Sequence, residues 1–109
     1  MEQKLDVIKN LTMNYINELM QSGDVNFVFD NSGNKYGIKV LGRGTDLFFS
    51  ENNRGLVCSI DAVQGIIYKS SIKIWNSNKE KMNKGEKERI ANLIEKYYKQ
   101  IYNPNARLE

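Results

Sequence analysis

Residues 25–60, VNFVFDNSGNKYGIKVLGRGTDLFFSENNRGLVCSI, set the apolar residues at a period of two and largely keep them there. Val25, Phe27 and Phe29 share one phase, and beyond Asp30-Asn31-Ser32-Gly33-Asn34 the residues Tyr36, Ile38 and Val40 share the next, with Lys35 and Lys39 opposite them. Alternation of this kind belongs to a strand with one buried face, and a polar, glycine-containing run between two such stretches reads as a hairpin turn. Gly42-Arg43-Gly44 then punctuates the chain before a third strand at Leu47-Phe48-Phe49. Glu51-Asn52-Asn53-Arg54-Gly55 does the same before a fourth, in which Leu56, Cys58 and Ile60 alternate with Val57 and Ser59. Every connection is short, so an antiparallel meander is the economical topology.

On the N-terminal side, Leu5, Ile8, Leu11, Tyr15, Ile16 and Leu19 recur at three- and four-residue steps, which predicts a helix ended near Gly23. On the C-terminal side, Ile66-Ile67-Tyr68 and Ile72-Lys73-Ile74-Trp75 are expected to form a fifth strand with an irregularity at Ser70-Ser71. Asn76 to Met82 reads as a polar loop. Asn83-Lys84-Gly85-Glu86 has the spacing of a capping box, in which the Asn side chain accepts from the third helical N–H and Glu86 reaches back. Ile90, Leu93, Ile94, Tyr97 and Ile101 then form a stripe suited to lie on a sheet, and Pro104 limits the helix. The expected fold is α+β: an N-terminal helix, an antiparallel meander of about five strands and a C-terminal helix packed on the sheet, in one domain over residues 1–109. Leu108-Glu109 has the form of a vector-derived tail and carries no weight in this reading.

At 109 residues, 40% hydrophobic and 27% charged, the chain has the composition of an ordinary globular domain. The single cysteine, Cys58, allows no internal disulfide and no cysteine-rich zinc site. With no signal-peptide pattern at the start and no apolar stretch of membrane-spanning length, a cytoplasmic protein without a membrane partner is expected. The net charge of +3 is uneven: residues 1–30 carry −3, residues 31–78 carry +3 and residues 79–99 carry +3. An anionic partner should therefore meet the middle or the C-terminal part.

The chain contains no histidine, which removes the Ser-His-Asp and Cys-His arrangements outright. Cys58 lies in the phase of Leu56 and Ile60 and reads as a packing residue. Asp24, Asp30, Asp46 and Asp61 fall near strand ends without diagnostic spacing, as turn residues do. The run from Asp30 to Asn34 opens like a calcium loop but has no glutamate at the twelfth position, and Gly42-Arg43-Gly44 has too few glycines for a phosphate-binding loop. Neither a catalytic residue, nor a metal, nor a cofactor is expected. Lys35, Lys39, Arg43, Lys69 and Lys73 could line one sheet face, with Tyr36, Phe48, Tyr68 or Trp75 as stacking surfaces, which is the pattern of a small single-strand nucleic-acid binder.

The stretch Ile66-Ile67-Tyr68-Lys69-Ser70-Ser71-Ile72-Lys73-Ile74-Trp75, followed by a polar loop and Met82-Asn83-Lys84-Gly85-Glu86-Lys87-Glu88-Arg89-Ile90, resembles one group of bacterial immunity proteins, the cytoplasmic antidotes to polymorphic toxins. In that group a strand carrying Tyr-x-Ser-Ser-Ile-x-x-Trp leads into a capped, Glu/Lys-rich helix. Here Asn76-Ser77-Asn78 stands where the group commonly has prolines. The resemblance implies a non-catalytic chain that binds a toxin domain and blocks it stoichiometrically. The alternatives are nucleic-acid binding and a phage or mobile-element role. Trp75, Tyr68 and Lys73 near the strand end, with Arg43 and Arg54 on adjacent loops, are the partner-binding residues expected under the first reading. Trp75 is expected to be partly buried, with one ring edge left at the surface.

Overall fold

The structure, a computed structural model, describes residues 13–109. A helix, α1 (Met13–Gln21), precedes four strands that run as a meander: β1 (Asn26–Phe29), β2 (Lys35–Leu41), β3 (Asp46–Glu51) and β4 (Arg54–Asp61). After β5 (Ile66–Ile67) come a single 3-10 turn (Lys69–Ser71), a small hairpin of β6 (Ile74–Trp75) and β7 (Glu80–Lys81), the long helix α2 (Lys84–Ile101) and β8 (Arg107–Leu108). The main sheet has the order β1-β2-β3-β4-β5-β8, antiparallel throughout except for the last pairing, where β8 lies parallel to β5. The protein is thus α+β. Leu5, Ile8 and Leu11 of the expected N-terminal helix lie outside the described residues.

The two periodicities of the sequence build two cores, one on each face of the sheet. Tyr36, Ile38, Leu47, Phe49, Leu56, Cys58 and Ile60 all project to one face, which α2 covers with Ile90, Ala91, Ile94, Tyr97 and Tyr98. Phe48 points the other way and meets Ile16 and Leu19 of α1, with Val25, Phe27 and Val57 around them. Close approach of α1 needs glycine in the sheet: a Cβ on Gly55 would stand 2.9 Å from Ile16 Cγ2 and 3.1 Å from Phe48 Cε1. Burial of Cys58 at 2% exposure pushes its thiol up to about 12, so the residue serves the core.

Three local expectations are corrected. Val25 and Phe27 do face the α1 core, but Phe29 is 68% exposed, because β1 is an edge strand and its end runs past the cover of α1. The expected fifth strand, Ile66 to Trp75, is broken: after Ile67 the chain turns through Lys69–Ser71 and pairs Ile74–Trp75 with Glu80–Lys81 inside the segment expected to be a loop. Met82, at the end of that segment, is buried. The broken strand has a physical reason. Only Ile60 and Asp61 of β4 pair with β5, which leaves the N–H groups of Gly55, Val57 and Ser59 without strand partners. Ser77 Oγ accepts from Gly55 at 3.0 Å, Asn76 Oδ1 from Val57 at 2.9 Å and Ser71 Oγ from Ser59 at 2.8 Å. Side chains thus replace a ladder that the backbone does not supply.

The N-terminus of α2 is capped as expected, Asn83 Oδ1 accepting from Glu86 N at 2.8 Å. Glu86 does not reach back, however. Its carboxylate is taken by Arg89 at 2.9 Å and approached by Arg54 at 3.4 Å. Among the described residues no helix is long and apolar enough to cross a membrane.

Candidate functional site

Of the residues expected to meet a partner, Trp75 is committed to the core and half-buried Arg54 is engaged in covering it. Trp75 is 1% exposed and packs with Ile72, Met82 and Ile90, so the expected surface edge is absent. The reason lies above it: the Arg54 guanidinium covers the ring at 4.3 Å from the centroid. Arg54 is held there by Glu51 at 2.9 Å, and Arg89 completes the group with bonds of 2.6 and 2.9 Å to the Glu51 carboxylate. Hydrogen bonds from Arg89 in the first place, then its charge and the Arg54 contacts, hold the Glu51 carboxyl below the usual carboxylate range despite burial. The Trp75 Nε1–H is buried without a bond of good geometry, and it contributes only weakly to the lowering of Glu86, where Arg89 dominates.

Arg43 is exposed in the β2–β3 turn, whereas Arg54 follows the β3–β4 turn. Successive turns of a meander lie at opposite ends of the sheet, and the bond from Ala62 N to Gly44 O at 3.0 Å places the Arg43 turn beside the β4–β5 turn instead. The two arginines therefore cannot act together. Lys35 and Lys39 lie on the α1 face, Lys35 over the Phe27 ring at 4.1 Å and Lys39 3.9 Å from Asp24, so they do not share a surface with Lys69 and Lys73. The Asp30 carboxylate accepts from Ser32 N and Asn34 N at 2.9 Å and from Tyr36 Oη at 3.3 Å, and these bonds, with the Asn34 side chain first, lower its pKa. Its oxygens serve the hairpin turn.

Lys73 belongs to a different constellation. An open groove of about 830 Å³ runs between the 3-10 turn, the β6–β7 hairpin and the first turns of α2. Ile72, Ile74 and Met82 give it an apolar lining, and Lys69, Lys73, Lys81, Lys84 and Lys87 surround them. Four of these lysines are exposed and Lys87 is half-buried. None takes part in an ion pair among the described residues, although Lys39, Arg54, Arg89, Lys99 and Arg107 all do. Glu88 and Glu109 are the acidic residues of the lining. Five lysines against two glutamates leaves +3, the net charge of the entire chain, so the other eleven basic and eleven acidic residues cancel. Tyr68 is 38% exposed at the start of the 3-10 turn but does not line the groove.

No family model, curated protein or solved structure matches this chain. The site is described by its chemistry alone: an apolar floor, an unpaired cationic rim and no aromatic ring in the lining. Lys81, Lys84 and Lys87 were missed as site residues in the sequence because a polar loop and a solvated helix face account for them equally well. The +3 of residues 79–99 was the signal that pointed to them.

Proposed function

We propose that the chain is a binding protein of the immunity kind, a cytoplasmic antidote that captures a toxin domain and blocks its working surface one-to-one, with no chemistry of its own. The observation that carries this reading is the convergence of five lysines, without an ion pair among the described residues and with a local excess of +3, around one groove with an apolar floor. Unpaired charge of one sign steers an oppositely charged partner and fixes its register, and the apolar floor adds desolvated contact once the partner is seated. The stretch that resembles immunity proteins, Ile66 to Ile90, supplies all five lysines and all three apolar residues of the groove. Trp75 then supports the contact surface from beneath instead of forming it.

An immunity gene should lie directly downstream of its toxin gene, so the test is to look for a toxin domain encoded immediately upstream and to co-express it with this chain. A one-to-one complex that survives purification and restores growth is expected. A chain that neither copurifies with that domain nor protects the cell removes the reading. Nucleic acid is the second reading, favoured by the same lysine rim and opposed by the lack of a stacking ring in the lining. Labelled single-stranded DNA at physiological salt decides it: submicromolar binding that weakens steeply with added salt would put nucleic acid first.

A further inference from the structure

We infer that the groove takes an acidic protein segment in which carboxylates flank an apolar side chain, the apolar group resting on half-buried Ile74, with Ile72 and Met82 buried behind it, and the carboxylates on the surrounding lysines. This rests on the reading of the groove as the contact surface and names the chemistry of what enters it.

The lysines are placed against the interest of the fold. A helix N-terminus carries a partial positive charge and favours acidic residues in its first turn. Here Lys84 opens α2, Lys87 follows three residues on, and the one acidic residue of the first turn, Glu86, is engaged by Arg89 and Arg54. Lys69 of the 3-10 turn, Lys73 of the connection that follows it and Lys81 of β7 converge on the same groove, without an ion pair among the described residues. Of the two carboxylates in the lining, Glu109 is taken by Arg107 and Glu88 pairs with none of the five lysines among the described residues, whereas a fold selected for stability alone would pair these cations. An incoming acidic segment supplies the partner carboxylates from outside.

The floor decides between anionic partners. A phosphate backbone has no use for Ile72, Ile74 and Met82, and bases would want a ring, which the lining lacks. An anionic membrane surface would want apolar groups that protrude, whereas Ile72 and Met82 are 2% and 6% exposed. A recessed apolar floor inside a cationic rim fits a peptide with an apolar anchor between carboxylates.

The experiment is fluorescence anisotropy with two labelled peptides of equal length and charge, one with leucine flanked by glutamates and one with serine in place of leucine. Single-stranded DNA and phosphatidylglycerol vesicles are run beside them. The leucine peptide should bind at least tenfold more tightly than the serine peptide, and added salt should weaken it. Lys73→Glu/Lys84→Glu should lose at least tenfold in affinity without loss of melting temperature, as should Lys73→Gln/Lys84→Gln, while Lys96→Glu/Lys99→Glu should bind as the parent does. Equal binding of the two peptides, or binding of DNA or vesicles in preference to both, would overturn the inference. A toxin domain captured equally by the parent and by both groove variants would remove the groove and leave neutralisation standing. Peptide binding by a chain that captures no toxin would do the reverse.

Discussion

At the scale of single residues, Glu51 holds the arginine that covers Trp75, and Trp75, expected to be partly buried with one edge at the surface, is fully buried. Regular alternation puts Trp75 opposite Ile74, and it does lie there, but the side it takes is the core side: Ile74 lines the groove while the indole is buried under Arg54. Trp75→Ala should therefore destabilise the protein by about 3–5 kcal/mol in urea unfolding, as deletion of a buried aromatic does; a loss below about 1 kcal/mol would show that the ring does not carry the core. Glu51 anchors the arginine that covers it. Its folded-state pKa lies below the ordinary 4.5, so its bonds contribute stability that is present above that value and is lost as pH falls through the lowered one. Melting temperature against pH should consequently fall on the acid side of 4.5 in the parent, and Glu51→Gln should be less stable at pH 7 with a flatter acid limb. Superimposable acid limbs would mean that the ionised Glu51 adds nothing to stability.

At the scale of elements, what repeats locally was legible and what depends on contacts distant in sequence was not. The four-strand meander, the helix from Lys84 and the apolar phase of Cys58 followed from period and turn chemistry, because each is set by neighbours a few residues away. The turn at Lys69–Ser71, the β6–β7 hairpin and the parallel β8 answer to β4 and β5, and no period in the sequence encodes that. Asn76-Ser77-Asn78 looked like a spacer, although Asn76 and Ser77 cap the open edge of β4. Of the residues expected to bind a toxin only Lys73 lies in the groove, with Lys69 of the nucleic-acid reading beside it, since charge by segment reveals sign but not convergence. The first turn of α2 offers the sharpest check on whether its lysines are kept for binding. Lys84→Glu replaces a cation at the positive end of the helix by the charge that this end favours, and should raise stability by about 0.3–1 kcal/mol at low salt. The same change should weaken capture of an acidic partner. A variant that loses stability would show that Lys84 has a structural role.

At the scale of the whole molecule, the groove lining carries a local excess of +3, while residues 1–30 carry −3. Distribution, not the total, then governs how the protein meets a charged surface, because field falls off within about 8 Å at physiological ionic strength. Two triple variants separate the two quantities. Lys69→Gln/Lys73→Gln/Lys84→Gln and Lys79→Gln/Lys96→Gln/Lys99→Gln each bring the net charge from +3 to zero. The first removes three of the five groove lysines, whereas the second leaves the groove intact and takes charges from elsewhere, including Lys99, already 3.7 Å from Glu95. On a cation-exchange column the groove variant should elute with little added salt, because no concentrated patch remains to orient the molecule towards the resin. The control should stay bound close to the position of the parent, its patch of five lysines turned to the matrix. Coelution of the two variants would mean that the molecule is read by its total charge, and the groove would then hold no privileged field with which to steer a partner.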